Sequence, residues 1–412
     1  MIKILQVRNI DSFVESRRQK TSEKDRKTVQ SILNDVRKNG DSAVKKYERK
    51  FNGRKTSQLR VSAKEIKEAR SKISREEVTA LQTMSARLSN SSPKIQIRGS
   101  RKFVAIPSVG CYIPGGQARY PSSVVMSVIP AKIAGVKRIV IVSPPDRDGK
   151  IDPLTIVAAK KCGATEIYKI GGAQAIGALA YGTKSIPKVD KIVGPGGKFV
   201  SIAKSLVSDQ TAIDMVAGPT ELGIIADASS DPELIALDLI SQAEHSRDTM
   251  CFVITQSKTM AKQIQKSIEK LIPGTERSSI IKESISKNGF IAVCKNENEM
   301  IGLANEIAPE HMELMVKNAK TLSKKITGAG LLLIGKNTPS SASDYLLGTN
   351  HILPTNGFGR TRGGLSVLDF LKLQTVIESK KSGLRKISKS LKVLTDAEDL
   401  PNHYKAVKRR LD

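Results

Sequence analysis

Glu166-Ile-Tyr-Lys-Ile-Gly-Gly-Ala-Gln-Ala-Ile-Gly-Ala-Leu-Ala180 decides the fold. Glu166 to Ile170 reads as a strand, Gly171-Gly172 as a turn, and Ala173 to Ala180 as a helix. The pattern then repeats: strand Lys191-Ile-Val193, turn Gly194-Pro-Gly-Gly197, helix Phe199 to Val207. Upstream, Cys111 to Gly116 is a strand entering a glycine turn. Helix Ser122 to Ala134 follows, where Pro130 predicts a kink, then strand Arg138 to Ser143 and helix Pro153 to Lys161. Strand, glycine turn and helix recur at intervals of roughly 28 residues, which is βαβ texture and a parallel sheet.

A second run of the same kind begins at Thr220. Strand Thr220 to Ala226 is followed by helix 231–245, strand Cys251 to Thr255 and helix Met260 to Leu271. Strand Phe290 to Val293, helix Glu297 to Ile307 and strand Leu331 to Ile334 complete it. Residues 1 to about 90 read as helical: Thr21 to Lys38 is amphipathic, Asn39-Gly40 stops it, and one or two helices span Val61 to Leu88. Short strands are expected at Ile95 to Ile97 and Val104 to Ile106. Asn356 to Gly364 is a Gly- and Arg-rich loop, and from Leu365 the chain reads as helical and basic, broken near Pro401. The fold class is therefore α/β. Two incomplete, Rossmann-like α/β domains are expected, with a helical N-terminal region and a small helical C-terminal tail.

The chain has 412 residues and a formal net charge of +28. Lys and Arg are spread from Lys3 to Arg410 among Asp and Glu, and no aromatic residues interleave to stack bases. The charge reads as a solvated surface and not as a nucleic-acid site. Four cysteines (Cys111, Cys162, Cys251 and Cys294) form no C-x-x-C pair and suggest no disulfide framework. No signal-peptide core follows the basic N-terminus, and no run of 18 apolar residues exists. A soluble, cytoplasmic protein without a membrane partner is expected.

No G-x-G-x-x-G fingerprint with an acid about 20 residues on is present. Gly194 to Lys198 is no P-loop, because Phe199 stands where Ser or Thr belongs. The glycine turns can still offer backbone N–H groups at helix N-termini to phosphates. In helix 231–245, Asp231 is the N-cap with Pro232 just inside. Gln242 and His245 lie three apart on one helix face, where two donors can reach one metal ion. An amide oxygen is a weak ligand, so partners must come from elsewhere. The four histidines are His245, His311, His351 and His403, each with acids or amides nearby. A metal site built from them is open to substrate, since the cysteine spacing excludes a closed Cys₄ zinc. At Ala308-Pro309-Glu310-His311, both Glu310 and His311 suit general-base work. Neighbours on a regular strand face opposite sides, so the two share a cavity only if the backbone there is irregular.

Eight segments, collinear over nearly the whole chain, resemble histidinol dehydrogenases. They are Val109-Gly-Cys-Tyr-Ile-Pro-Gly-Gly116, Gly171-Gly-Ala-Gln-Ala-Ile176, Asp214-Met-Val-Ala-Gly-Pro-Thr-Glu221, Ser241-Gln-Ala-Glu-His245, Ala308-Pro-Glu-His311, Asp344-Tyr-Leu-Leu-Gly-Thr-Asn-His-Ile-Leu-Pro-Thr355, Gly364-Leu-Ser-Val-Leu-Asp-Phe370, and the tail around Glu398 and His403. The resemblance implies oxidation of L-histidinol through the aldehyde to L-histidine, with NAD⁺ and one Zn²⁺ per subunit. It implies zinc ligands Gln242, His245, Asp344 and His403, and catalytic Glu310 and His311. Substrate contacts would be Thr220, Gln242, His245, His311, Asp344, His351, Glu398 and His403. Tyr112, Gln174 and position 197 would contact the cofactor. Gly197 stands where the family usually has Asn, so a weakened NAD⁺ contact is expected. The resemblance also implies a homodimer whose C-terminal tail reaches the partner's site. The domains would be an arm at 1–20, a discontinuous unit of 21–110 plus 220–361, an inserted NAD-binding unit at 111–219, and a tail at 362–412. The rival readings are a zinc- and NAD-dependent dehydrogenase of another amino alcohol, and a basic nucleic-acid-binding protein on a dead enzyme fold.

Overall fold

The computed structural model describes residues 1–18, 21–53, 58–93, 101–115 and 119–412. The strand expected at Ile95 to Ile97 lies outside them. The chain divides into two compact units, Met1–Pro93 with Ala105–Leu371, and Lys94–Val104 with Lys372–Asp412. In chain order the strands are β1 (Lys3–Leu5), β2 (Arg101–Ala105), β3 (Ser108–Tyr112), β4 (Arg138–Ser143), β5 (Glu166–Lys169), β6 (Lys191–Val193), β7 (Ala212–Ile213), β8 (Glu221–Ala226), β9 (Met250–Thr255), β10 (Phe290–Val293), β11 (His311–Met315), β12 (Leu331–Ile334) and β13 (Leu371–Thr375).

The larger unit holds two parallel sheets. One has the order β5-β4-β3-β6-β7, the other β1-β10-β9-β8-β11-β12. Helices cover such sheets on both faces, which is why the strands are near-continuous apolar runs with buried centres. In the five-stranded sheet the order reverses between β3 and β6, the switch point at which open α/β sheets bind ligands. Gly194, just after β6, sits there at φ 109°. A Cβ on it would lie 2.2 Å from the Tyr112 carbonyl oxygen, so only glycine lets the two chains meet.

Helix Glu23–Asn52 carries a kink at Gly40 (φ 50°, ψ −129°), the stop that the sequence marks between two helices. Its Val29, Leu33, Val36 and Val44 are fully buried and pack in one core with helix Gly172–Tyr181. Gly177 lets the two helices approach: an added Cβ would sit 3.2 Å from Leu33 Cδ2. Burial of each such aliphatic side chain contributes about 1.5–3 kcal/mol. Helices Ala63–Ser71 and Arg75–Ser91 each start in a capping box, from Ser62 and Ser74.

Helix Pro121–Ala134 runs through Pro130. A proline removes the hydrogen bond to the carbonyl four residues back. That carbonyl, on Met126, takes the side-chain amide of Asn350 at 2.8 Å. The smaller unit contains the pairing of β2 with β13 and helices Lys381–Ala397 and Pro401–Lys408. The sequence reading had helix from Leu365 onward. Instead a 3₁₀ turn, Val367–Phe370, leads into β13, whose Leu-Lys-Leu-Gln-Thr alternates with period two. No helix among the described residues is long and apolar enough to cross a membrane.

Candidate active site

Topology gathers the candidate residues at one edge of the six-stranded sheet. β8 and β11 are parallel neighbours with His311 opposite Leu222, so Thr220-Glu221 and Glu310-His311 meet at their N-terminal ends. Helix Pro232–Ala243 is the crossover from β8 to β9, and its C-terminal end must return to that same edge. It brings Gln242 and His245 with it. The helix stops at Ala243, with Glu244 as C-cap, two residues short of the end read from sequence. His245 is still tied to Gln242, through its backbone N–H (3.2 Å) and its Nδ1 (3.1 Å), both to the Gln242 carbonyl.

Ala308 ends the preceding helix in the left-handed region, φ 50°, with Pro309 behind it. This is the irregular backbone that the Glu310-His311 pair requires. His311 Nδ1 lies 3.8 Å from Glu310 Oε2, and Nε2 lies 3.3 Å from Asp344 Oδ1. The Nε2 contact is an attraction of charges and not an aligned hydrogen bond. Asp344 caps the short helix Ser340–Ser343.

The hydrogen bonds run in a fixed direction. Glu310 Oε2 accepts from the Thr220 hydroxyl and, at 3.0 Å, from the Glu221 N–H. Thr220 Oγ1, having given its proton, accepts from Gln242 Nε2 at 2.6 Å. The Gln242 amide is thereby oriented, and its Oε1 is the atom left to meet a cation. Glu221 is a buried carboxyl that sequence reading passed over. It accepts from the backbone N–H groups of Glu310 (3.2 Å) and Asn356 (2.9 Å). The signal for it was present: a glutamate opening the otherwise apolar run Glu221–Ala226.

His351 has both ring nitrogens engaged, Nδ1 with the Asp344 carbonyl at 2.9 Å and Nε2 with Ser123 Oγ at 3.2 Å. Burial lowers its pKa. Burial raises the Glu310 carboxyl, and pushes Glu221 up to about 8. For Asp344 burial pulls upward, but His311 and the charges of His351 and His245 outweigh it and keep the carboxylate ionised. For His311 burial pulls downward, yet the charges of Glu310 and Asp344 raise it to about 9.

Gln242 and Asp344 are buried and His245 is exposed, and His245 acts electrostatically on the Asp344 carboxylate. With Nδ1 held by its own helix end, His245 offers Nε2 as the ligating atom. These donors fit a zinc ion that needs one more ligand. Among the described residues no group of three His, Cys, Asp or Glu is placed to hold a metal. His403, in helix Pro401–Lys408, and Glu398, the C-cap of helix Lys381–Ala397, belong to the smaller unit and are exposed there.

The three candidate cofactor residues sit at the C-terminal edge of the five-stranded sheet. Tyr112 ends β3, and its hydroxyl accepts from the Gly172 N–H at 3.1 Å. Gln174 lies in the first turn of helix Gly172–Tyr181 and donates through Nε2 to Glu48 at 2.8 Å. Gly171, Gly172 and Gln174 line a cavity of about 730 Å³ together with Tyr47, Phe51 and Pro144. Gly197 precedes helix Lys198–Val207 and borders a separate cleft of about 350 Å³. All four cysteines are buried and free, and burial raises the pKa of each, which leaves no activated thiol among them.

Comparison with known proteins shows the family. The family profile of histidinol dehydrogenase matches residues 15–411. A histidinol dehydrogenase of Methanococcus maripaludis is 43% identical over 398 residues, covering 93% of this chain and 93% of its own. One of Oceanobacillus iheyensis is 41% identical over 393 residues, covering 93% and 92%. The crystal structure of histidinol dehydrogenase from Elizabethkingia anophelis superposes with a TM-score of 0.92 at 34% identity, covering 100% of this chain and 98% of that one. On profile, sequence and structure alike, the chain belongs to the histidinol dehydrogenase family.

Proposed function

We propose that the protein oxidises L-histidinol to L-histidine in two NAD⁺-dependent steps at a zinc site formed by Gln242, His245, Asp344 and the partner's His403. The observation that carries this reading is the directed chain Gln242–Thr220–Glu310 beside the His311–Asp344 contact. It leaves one amide oxygen, one carboxylate and one imidazole free for a cation, with two candidate bases next to them. When bound, zinc supplies a template for the substrate's imidazole and amino nitrogens, and NAD⁺ supplies the hydride acceptor.

His311 takes the alcohol proton in the first oxidation. Glu310 and Asp344 together hold the His311 imidazole in its charged form, and an Asp344 carboxylate shared with a cation would raise it less, which would move it toward the range in which it accepts protons. Glu310 removes a proton from water as that water adds to the aldehyde. Its burial suits this, since a carboxylate with a raised pKa is the stronger base near neutrality. The resulting hydrate anion loses the second hydride to NAD⁺ and its remaining hydroxyl proton to give the carboxylate. No thioester is involved, consistent with four buried thiols.

The five-stranded sheet holds the cofactor through the turns at Tyr112, Gly171-Gly172 and Gly194–Gly197. The chain acts as a homodimer, with the partner's Glu398 and His403 completing the site. Support comes from the tail itself, which leaves Ile377, Ile387, Val393 and Leu394 exposed.

The test is NADH release from L-histidinol and NAD⁺ before chelation, after chelation, and after zinc is restored. Two NADH per histidinol, lost on chelation and regained with zinc, is the expected result. No NADH with saturating NAD⁺ and zinc would sink the reading.

A further inference from the structure

The sequence assigns no chemistry to the N-terminal helices, yet one of their side chains reaches the proposed cofactor turn. Glu48 lies on helix Glu23–Asn52 and is fully buried. A single oxygen, Oε1, accepts both the Gly171 N–H at 2.9 Å and Gln174 Nε2 at 2.8 Å. Gly171 and Gln174 lie at the start of helix Gly172–Tyr181, on the wall of the 730 Å³ cavity. Two donors on one oxygen settle the orientation of the Gln174 amide: its nitrogen faces Glu48 whatever the protonation of the other Glu48 oxygen.

That orientation has a consequence at the other end of the amide. Gln174 Oε1 is buried and without a hydrogen-bond partner. It lies beneath Gly172, where a Cβ would come within 2.8 Å of it. Gly172 has φ 62° and its N–H is held by the Tyr112 hydroxyl, so turn, tyrosine and glutamine form one assembly pinned from behind by Glu48. Unpaired buried acceptors are rare, and each calls for a physical reason.

We propose that Glu48 is a positioning residue of the dinucleotide site. It holds the Gly171-Gly172 turn and fixes the Gln174 amide so that Oε1 is presented as an acceptor. The dinucleotide must bring a donor to that point, a sugar hydroxyl or an amide N–H, and a phosphate oxygen is repelled there. The proposal rests on the cofactor reading above and adds to it the residue that sets the polarity of the contact.

The test is NADH binding followed by its fluorescence on the full-length protein, with thermal melts as controls, for wild type, Glu48→Ala and Glu48→Gln. Glu48→Ala removes the shared acceptor and is expected to weaken NADH binding about tenfold, the scale of one lost hydrogen bond plus a freed rotor. Histidinol KM should stay within about twofold, since the loss is confined to orientation at the dinucleotide wall. Glu48→Gln keeps an oxygen at the Oε1 position and is expected to bind NADH nearly as wild type. A purely structural role would not split the two substrates, nor be rescued by Gln. Glu48→Ala that melts normally and binds NADH like wild type overturns the proposal while leaving the cofactor reading intact. Wild type that shows no saturable NADH binding removes both. If Glu48→Ala does not fold, Glu48→Asp decides, since it draws the acceptor back by about one methylene: weakened NADH binding supports the proposal, and unchanged binding refutes it.

Discussion

Glu221 and Glu310 each accept the other's backbone N–H: Glu221 Oε2 takes that of Glu310 at 3.2 Å, and Glu310 Oε2 takes that of Glu221 at 3.0 Å. Two carboxyl groups buried this close would repel if both were ionised. The exchange of amide donors places them nonetheless, and sets the irregular segment after Ala308 against the start of β8. Glu221 also takes the Asn356 N–H through Oε1, so both of its oxygens are committed.

Glutamine at position 221 has one oxygen where two are needed, so one of the two amides faces an NH₂ group. Glu221→Gln should destabilise the protein by about 1–3 kcal/mol, the scale of a buried donor left unpaired. It should lower kcat about 10–100-fold by letting Glu310 drift. Steady-state rates with L-histidinol and with L-histidinal separate the two oxidations. If Glu310 handles the aldehyde step, the histidinal rate falls at least as far as the histidinol rate. A fall in the histidinol rate alone would disconnect Glu221 from Glu310.

Most of the fold was legible because its signals are local. Apolar runs bounded by glycine turns at Gly171-Gly172 and Gly194–Gly197 identify buried parallel strands and the helices after them. Gln242 and His245 were legible as a pair, and Glu310-His311 with its demand for irregular backbone. What no local signal carried was the meeting of chain segments far apart in sequence. Glu48 and Glu221 look like ordinary helix and strand glutamates until Gly171 and Glu310 are placed against them. Pro130 reads as a kink, and only the fold reveals that the carbonyl it frees anchors Asn350 beside His351. The strand β13 was lost because five alternating residues are a weak pattern next to a basic helical one.

Gly197 is glycine without a conformational need for it. Its φ is −65°, and an added Cβ would meet nothing within 4 Å. Asparagine, usual there in the family that the chain resembles, therefore fits, and it is a good N-cap for helix Lys198–Val207. Gly197→Asn should lower KM for NAD⁺ by about 2–10-fold, the scale of one regained hydrogen bond, with histidinol KM unchanged. An unaltered NAD⁺ KM would mean that position 197 does not touch the cofactor in this chain.

Asp238 and Glu313 form a second buried acid pair behind the site. Glu313 Oε1 accepts the Ser340 N–H at 2.7 Å, and the neighbouring Asp238 carboxyl acts on Glu313 electrostatically. The pair thus links helix Pro232–Ala243, β11 and the short helix before Asp344. Burial raises Glu313 to about 8 and Asp238 to about 6. For an acid whose pKa is raised by folding, the folded state binds more protons than the unfolded between the two values, so stability falls as pH rises. The contribution of Glu313 is complete below about 4.5 and lost by about 8. Glu313→Gln keeps an acceptor for Ser340 and cannot ionise. In metal-free protein, its Tm relative to wild type should climb steadily from pH 5 to pH 8. A constant difference across that range would show that Glu313 is ionised throughout.

Lys204 and Asp214 make a fully buried ion pair under the switch point. Lys204 Nζ also donates to the Gly194 carbonyl at 2.9 Å, while Asp214 accepts the Gly194 N–H at 2.7 Å and the Met215 N–H at 2.6 Å. Both sides of the Gly194 peptide are thereby held, at the place where Gly194 crosses Tyr112. Lys204→Met leaves Asp214 charged and uncompensated, which should cost about 3–5 kcal/mol. Asp214→Asn in the same chain removes the stranded charge and keeps an acceptor for one amide, so the double variant should be more stable than Lys204→Met alone. Both variants should raise KM for NAD⁺, because neither holds the Gly194 turn from two sides. Denaturant midpoints of the two variants decide the point: if the double variant is the less stable, the pair acts through its hydrogen bonds and not through mutual neutralisation.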